Sequence, residues 1–391
     1  MGSVCDHQPQ MAVSASAGVG AVAHGERKYM PVPGPVPWPM APHTGAKHDI
    51  YRTYLAKWFP ILLAGKRKKP YPSATYAEGF AGPGIYSEGQ DGSPILAVRA
   101  LVETVSAGCG VVKFVFIDDD PRCIALLNKQ LLSSFTVRPR TVEAMPVAIT
   151  EGTCAKTLES ELDRMKSWGQ PIFAVLDSWG NAPVPYRLIR RLAQNPATEV
   201  IVTLQPQHFV RFVEQMSEGA DDVFGGNPAW RNIVAMGDPE EKRRHLLTAY
   251  REMLAGAGFS YLLDFELIDR RGQLLYLVFA TNHHLGVEKM KDSLWAVDPA
   301  FGIGFRDPRD VLQQSLFEPD EAELAPLAEL LAAHLTDVGR SPVASLRRFA
   351  LLETIFRPQQ VIGALQSLRD AGRLTVEGGG PIRIASLVTI R

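Results

Sequence analysis

At 391 residues the chain is too long for one small core and predicts two or three domains. Its 46% hydrophobic content is that of an ordinary globular protein. It holds no apolar run of about 18 residues and does not start with a basic, then apolar, leader, so neither a membrane span nor a signal peptide is expected and a cytoplasmic location is. The net charge of −1 hides an uneven spread: residues 1–70 carry nine Lys/Arg against three Asp/Glu, and residues 340–391 carry eight Arg against three Asp/Glu. Basic ends around an acidic middle suit a polyanionic partner, although such faces are often only solvated. Cys5, Cys109, Cys123 and Cys154 form no CxxC pair, so neither a zinc ribbon, a dithiol redox site nor a disulfide framework is expected.

Residues 1–42 read as a disordered arm, because Pro at almost every second position of 30-MPVPGPVPWPMAP-42 favours an extended chain. A helix is predicted from near Thr44, with Ile50, Tyr51, Tyr54, Leu55, Trp58 and Phe59 at helical spacing and Pro60 as a kink. The basic run Lys66-Arg67-Lys68-Lys69 leads to a first strand, ATYAEGF. A helix over 94–106 follows, with Ser93 as N-cap and Pro94 in its first turn. Then come strand 111–118, a helix over 121–134 with Ile124, Leu127, Leu131 and Leu132 on one stripe, strand 172–177 counted as the fourth, helix 185–194 and strand 199–204. Alternating branched strands and helices predict a Rossmann-like α/β fold, a mainly parallel sheet covered on both faces. Two further strands, 261-YLLDFELID-269 and 274-LLYLVFAT-281, flank 270-RRGQ-273. The C-terminal part reads as helices near 321–335, 343–353 and 358–372, then a short hairpin.

Three strands end in acids: Glu78, Asp118 and Asp177. In an open parallel sheet, ligands sit beyond the carboxyl ends of the strands at the switch point, so these acids should line one edge. The turn Phe80-Ala81-Gly82-Pro83-Gly84 lets backbone pass close to a ligand. An acid ending the second strand is placed to accept from ribose hydroxyls, which suits an adenosine ligand. The pattern departs from GxGxxG, and 85-IYSEGQDG-92 reads as an inserted loop. A purely structural turn is the alternative for the glycines. For Gly92-Ser93-Pro94 the simplest reading is a helix start, with free N–H groups for an anion as the second.

An acid before a glycine-rich turn resembles the first motif of class I S-adenosylmethionine-dependent methyltransferases. A closer resemblance, over about residues 43–310, is to the three-Cys-motif partner (TcmP) family. It rests on HTGAKHDIYRTYLAKW, YAEGFAGPGIYSEGQDGSP, FVFIDDDPRCIALL, LDSWGNAPVPYRLIRRLA and LLYLVFATNHHLGVEKMKDS, in that order. The resemblance implies a methyltransferase-like domain at 43–312 that works beside a radical-type protein with three cysteines. It implies S-adenosyl-L-methionine as cofactor, held by Glu78, Phe80, Ala81, Gly82, Pro83, Gly84 and Asp118. It further implies Asp177 and Trp179 as catalytic residues, in a segment similar to the D-P-P-Y motif of amino-methyltransferases. Here that segment reads Asp177-Ser178-Trp179-Gly180, with Ser in place of the rigid Pro. A catalytically degenerate methyltransferase fold that binds nucleic acid or a protein partner is the alternative.

Thr281-Asn282-His283-His284 offers adjacent histidines that point to different sides, so no metal site is expected. Residues 318–391 resemble a winged-helix domain. Gly378-Gly379-Gly380 would be the wing tip, and Arg347, Arg348, Arg357, Arg369, Arg373 and Arg383 would be available to nucleic-acid phosphates. Protein contact is the alternative use of such a unit.

Overall fold

A computed structural model describes residues 34–63, 71–105, 110–136, 145–178, 183–216, 218–306 and 323–391. Its regular elements are, in order, α1 (Pro42–Leu63), β1 (Ser73–Glu78), α2 (Ser93–Thr104), β2 (Val111–Asp118), α3 (Pro121–Thr136), β3 (Val147–Glu151), α4 (Cys154–Arg164) and β4 (Ile172–Leu176). They continue with α5 (Tyr186–Gln194), β5 (Thr198–Leu204), α6 (Pro206–Phe212), α7 (Pro239–Ala257), β6 (Tyr261–Ile268), β7 (Leu274–Thr281), α8 (His284–Val297) and β8 (Gly304–Arg306). The last are α9 (Ala325–Val338), β9 (Ser341–Pro342), α10 (Val343–Glu353), α11 (Val361–Asp370), β10 (Leu374–Val376) and β11 (Leu387–Ile390). The larger sheet has the order β3-β2-β1-β4-β5-β7-β6-β8 and the smaller one β10-β11-β9, so the fold is α/β with helices around a mixed sheet of Rossmann-like strand order. Two compact units are distinguished. One is Phe59–Asp177 with residues 34–40 of the arm; the other is Ala41–Trp58 with Ser178–Arg391.

In the first unit β1 is flanked by β2 and β4 and β2 by β3, all in parallel. Every residue of β1 and β4 is buried, as expected for strands covered on both faces. The register places Tyr76 beside both Phe114 and Phe173, and their rings make an aromatic layer, with Tyr76 stacked on Phe173 at 5.9 Å. Phe59, at the end of α1, packs edge-on against Phe114. On α3 the buried stripe is Cys123, Leu127 and Leu131, whereas Leu132 is 48% exposed. The expected stripe is thus corrected by one position: residues four apart share a helix face, and Leu132 is a residue off it.

In the second unit β7 pairs antiparallel with both β5 and β6, and β6 pairs parallel with the short β8. Between β5 and β6 lie α6, two 3-10 segments and α7, a region to which the sequence reading assigned no element. Helix α7 begins at Asp238, whose carboxylate accepts from the N–H groups of Glu240 and Glu241, and it stops at Gly258 with φ 122°. The amine of Lys291 on α8 is buried and donates to the carbonyls of Ala350, Leu351, Thr354 and Phe356 at 2.5–3.1 Å. Burial lowers its pKa to about 7, against the charge of Glu353. One turn on, Trp295 Nε1 donates to the Ile355 carbonyl, and the Arg357 guanidinium lies over the Trp295 ring. Trp295 also joins the apolar cluster formed by α9, α10, α11 and the small sheet.

Among the described residues, no helix is long and apolar enough to cross a membrane, and no group of three metal-ligating side chains occurs. Cys5, Cys109, the basic run 66–69 and the expected boundary between residues 312 and 318 lie outside the described residues. Cys123 and Cys154 are free and buried.

Candidate functional site

The chain leaves β1 for β2 and β3 on one side, then returns to β4 on the other, so the strand order reverses at β1. Glu78, the last residue of β1, pairs with Phe116 of β2 and Val175 of β4. Asp118 and Asp177 therefore stand two residues beyond it on either side. The expectation that the three acids share one edge agrees with this register.

Glu78 is 1% exposed. Its Oε1 accepts from the Tyr76 hydroxyl at 2.7 Å and its Oε2 from Ser93 Oγ at 2.7 Å. Burial is the main force on its carboxyl and lifts the pKa from an ordinary 4.5 to about 8. The two hydroxyls pull it back, and the charges of Asp177 and Asp118 push it further up. At neutral pH Glu78 thus leans toward the protonated form, which removes a negative charge from a crowded edge. The expected N-cap role of Ser93 is corrected here. Gly92 is the N-cap without a side-chain cap bond, and the Ser93 hydroxyl is spent on Glu78. The start of α2 therefore already faces a carboxyl.

Asp118 closes the other side of the turn. Its Oδ2 accepts from the Gly82 N–H at 2.8 Å and its Oδ1 from the Asp120 N–H at 3.0 Å. Burial raises its pKa against those two N–H groups. The Ala81 N–H donates to the Ile117 carbonyl and the Gly79 N–H to the Val175 carbonyl, so both neighbouring strands tie down the loop. Gly82 and Gly84 have φ of 63° and 71°, a region that favours glycine. A Cβ at residue 84 would stand 2.7 Å from Leu127 Cδ1, whereas at residue 82 the nearest atoms are those of Trp38 at 3.9 Å. Gly82 is therefore the open glycine and Gly84 the packed one. Ala81 and Pro83 are buried, and Phe80 is partly exposed.

The inserted segment 85–92 is a small closed turn. Ile85 bridges Asp91, and the Tyr86 N–H donates to the Gln90 carbonyl. Burial, then the charges of Asp177 and Glu78, push the Tyr86 phenol up, so this ring stands within electrostatic reach of both acids. The Ser87 N–H donates to the Trp38 carbonyl at 2.9 Å. Neither Tyr86 nor Trp38 was singled out from the sequence: Tyr86 sits in a segment without periodicity, and Trp38 reaches the site from 44 residues upstream of Gly82. Trp179 and Gly180 lie outside the described residues, so Asp177 is placed and its expected partner is not.

In the second unit, three of the six expected phosphate-binding arginines are engaged within the protein. Arg373 pairs with Glu329, Arg369 donates to the Gly380 carbonyl, and Arg357 lies on Trp295. Arg348 and Arg383 are exposed.

The strand order defines an α/β protein, and the acid-lined edge at the switch point of its sheet is the candidate site. No family model and no curated protein matches the chain. Among solved structures it is similar to the citrinin polyketide synthase CMeT domain, with 16% identity over 54% of this chain and 46% of that one, TM-score 0.30. A second similarity is to the METTL16 MTase domain, with 10% identity over 58% and 66%, TM-score 0.31. A third is to an O-methyltransferase from Bacillus cereus in complex with SAH, with 11% identity over 62% and 82%, TM-score 0.33. The chain spans about half of the first of these and is distant from all three in sequence and shape.

Proposed function

We propose that the protein binds S-adenosyl-L-methionine at the carboxyl edge of β1, β2 and β4 and uses it for methyl transfer. The observation that carries this is the convergence of Glu78, Asp118 and Asp177 around a turn whose open glycine is held by Asp118. With Glu78 mainly protonated, the charges of Asp118 and Asp177 still repel a phosphate and attract a positive ligand, which favours a cationic ligand over a dinucleotide. Adenosylmethionine, with a sulfonium, an ammonium and ribose hydroxyls, fits that donor set. When bound it supplies an electrophilic methyl group. Asp118 would hold the ribose hydroxyls, Gly82 would leave room for the ligand, and Glu78 would fix the loop through Ser93. Asp177 would accept a hydrogen bond from the attacking group and orient it, so that positioning carries most of the rate.

The resemblance to three-Cys-motif partner proteins supports a radical-type protein as the physical partner, and the charge of the chain ends supports a nucleic acid or nucleotide as methyl acceptor. Calorimetric titration with S-adenosylmethionine and S-adenosylhomocysteine tests the reading. Binding that Asp118→Ala weakens roughly tenfold, a loss of about 1.4 kcal/mol, is the expected result. No binding by the intact protein would overturn it and favour a degenerate fold used for partner contact.

A further inference from the structure

Among the described residues, Trp38 is the aromatic ring set against the open glycine of the loop. Its Cζ2 and Cη2 atoms stand 3.9 Å from the position a Gly82 Cβ would take. Its main chain is not loosely placed: the carbonyl accepts from the Ser87 N–H at 2.9 Å, and Ser87 belongs to the turn closed by Ile85 and Asp91. Pro35, Pro37 and Pro39 alternate with it, which narrows the backbone freedom of the strap before any ligand arrives. The indole is only partly buried, unlike the core rings Tyr76, Phe114 and Phe173. It does not complete the hydrophobic layer of the sheet. Instead it reaches a glycine whose N–H is held by Asp118. An aromatic ring on a loop tied to a carboxylate offers a planar or cationic ligand group two kinds of contact, stacking or cation–π attraction from the ring and charge from the acid.

We infer that Trp38 is a ligand-binding residue of the glycine-loop site, carried into it by the proline-rich strap and held there by Ser87. The inference rests on the adenosylmethionine reading of that site. The strap thus furnishes a wall for the adenosyl or sulfonium part of the ligand. An aromatic wall favours ligands that present a planar base next to a positive centre.

The test uses the full chain and two ligands, S-adenosylhomocysteine and S-adenosylmethionine, titrated into wild type, Trp38→Ala and Trp38→Phe. Trp38→Ala is expected to weaken both ligands roughly tenfold or more, while Trp38→Phe, which keeps a ring, retains most of the affinity. Tryptophan fluorescence gives a second readout that does not need the Ala variant to fold. The chain has six tryptophans, and in a Trp179→Phe background, which silences the other indole expected at the site, the ligand-induced change should be present with Trp38 and largely absent from Trp38→Phe even as calorimetry records binding. Affinity in Trp38→Ala equal to or above that of wild type, or an unchanged fluorescence response in Trp38→Phe, would overturn the inference and leave the cofactor reading intact. Wild type that binds neither ligand would remove both.

Discussion

Glu78 and Glu199 are two buried carboxyls built alike. Each accepts from a tyrosine hydroxyl, Tyr76 for Glu78 and Tyr54 for Glu199, and each accepts from a second hydroxyl, Ser93 or Thr281. Burial lifts both, Glu78 to about 8 and Glu199 to about 7. Their settings differ. Glu78 ends its strand at the carboxyl edge, among two more acids and a loop with an open glycine. Glu199 lies near the start of β5, and a Cβ at Gly286 would come within 2.2 Å of its Oε1. Around it the Tyr54 ring packs on Phe279. A perturbed carboxyl is therefore not a site by itself. The strand end on which it sits, and the room beside it, separate a ligand edge from an internal strut.

The comparison breaks most sharply at Glu199. Replacing it with Ala strands the Tyr54 and Thr281 hydroxyls in the core, and a loss of about 2–4 kcal/mol is expected from urea unfolding. Adenosylhomocysteine affinity of the folded fraction should stay at the wild-type level; a large drop would mean that Glu199 belongs to the site after all. Next come the two glycines. Gly286→Ala forces a methyl group onto the Glu199 carboxyl and should cost about 1–3 kcal/mol. Gly82→Ala only touches the Trp38 ring at ordinary van der Waals distance and carries backbone strain of about 1 kcal/mol, but it should weaken adenosylhomocysteine more than Gly286→Ala does. The reverse ranking in thermal melts would make Gly82 the packed position.

The remaining test is pH. Both acids have folded pKa values above their unfolded ones, so the folded state holds more protons than the unfolded chain between them. Their stabilisation is complete below about 4.5 and is lost as pH rises, to about 7 for Glu199 and about 8 for Glu78. Melting temperature should therefore fall across that window. Glu78→Gln and Glu199→Gln should each flatten the slope, with the upper part of the window belonging to Glu78. A slope untouched by either variant would place the titration elsewhere.

The glycine loop and its three acids were legible in the sequence because each is a local signal: a strand, its terminal acid and the turn behind it. Their common edge followed from strand alternation alone. The Glu199 network was not legible, since one acid in TEVIVTL is indistinguishable from a surface residue until α1 and β7 are brought against it. Trp38 sits in a stretch read as a disordered arm, because proline spacing describes backbone preference and is silent on what an indole among the prolines will touch. The arginines of the C-terminal unit could be counted from the sequence, but their engagement with Glu329 and Gly380 could not, because those partners lie 44 and 11 residues away along the chain.

Lys291 has three protons to give and four carbonyls around it, all from the end of α10 and the segment that follows. Such an amine makes the opening of that segment and the exposure of α8 a single event. Native-state hydrogen exchange should show the amides of α8 and α10 opening with one shared free energy. A truncation after residue 340 would not yield a trimmed but intact first part. It would strip Lys291 of its carbonyls and bare the Trp295 ring, so the C-terminal elements are better altered at their outer surface than removed.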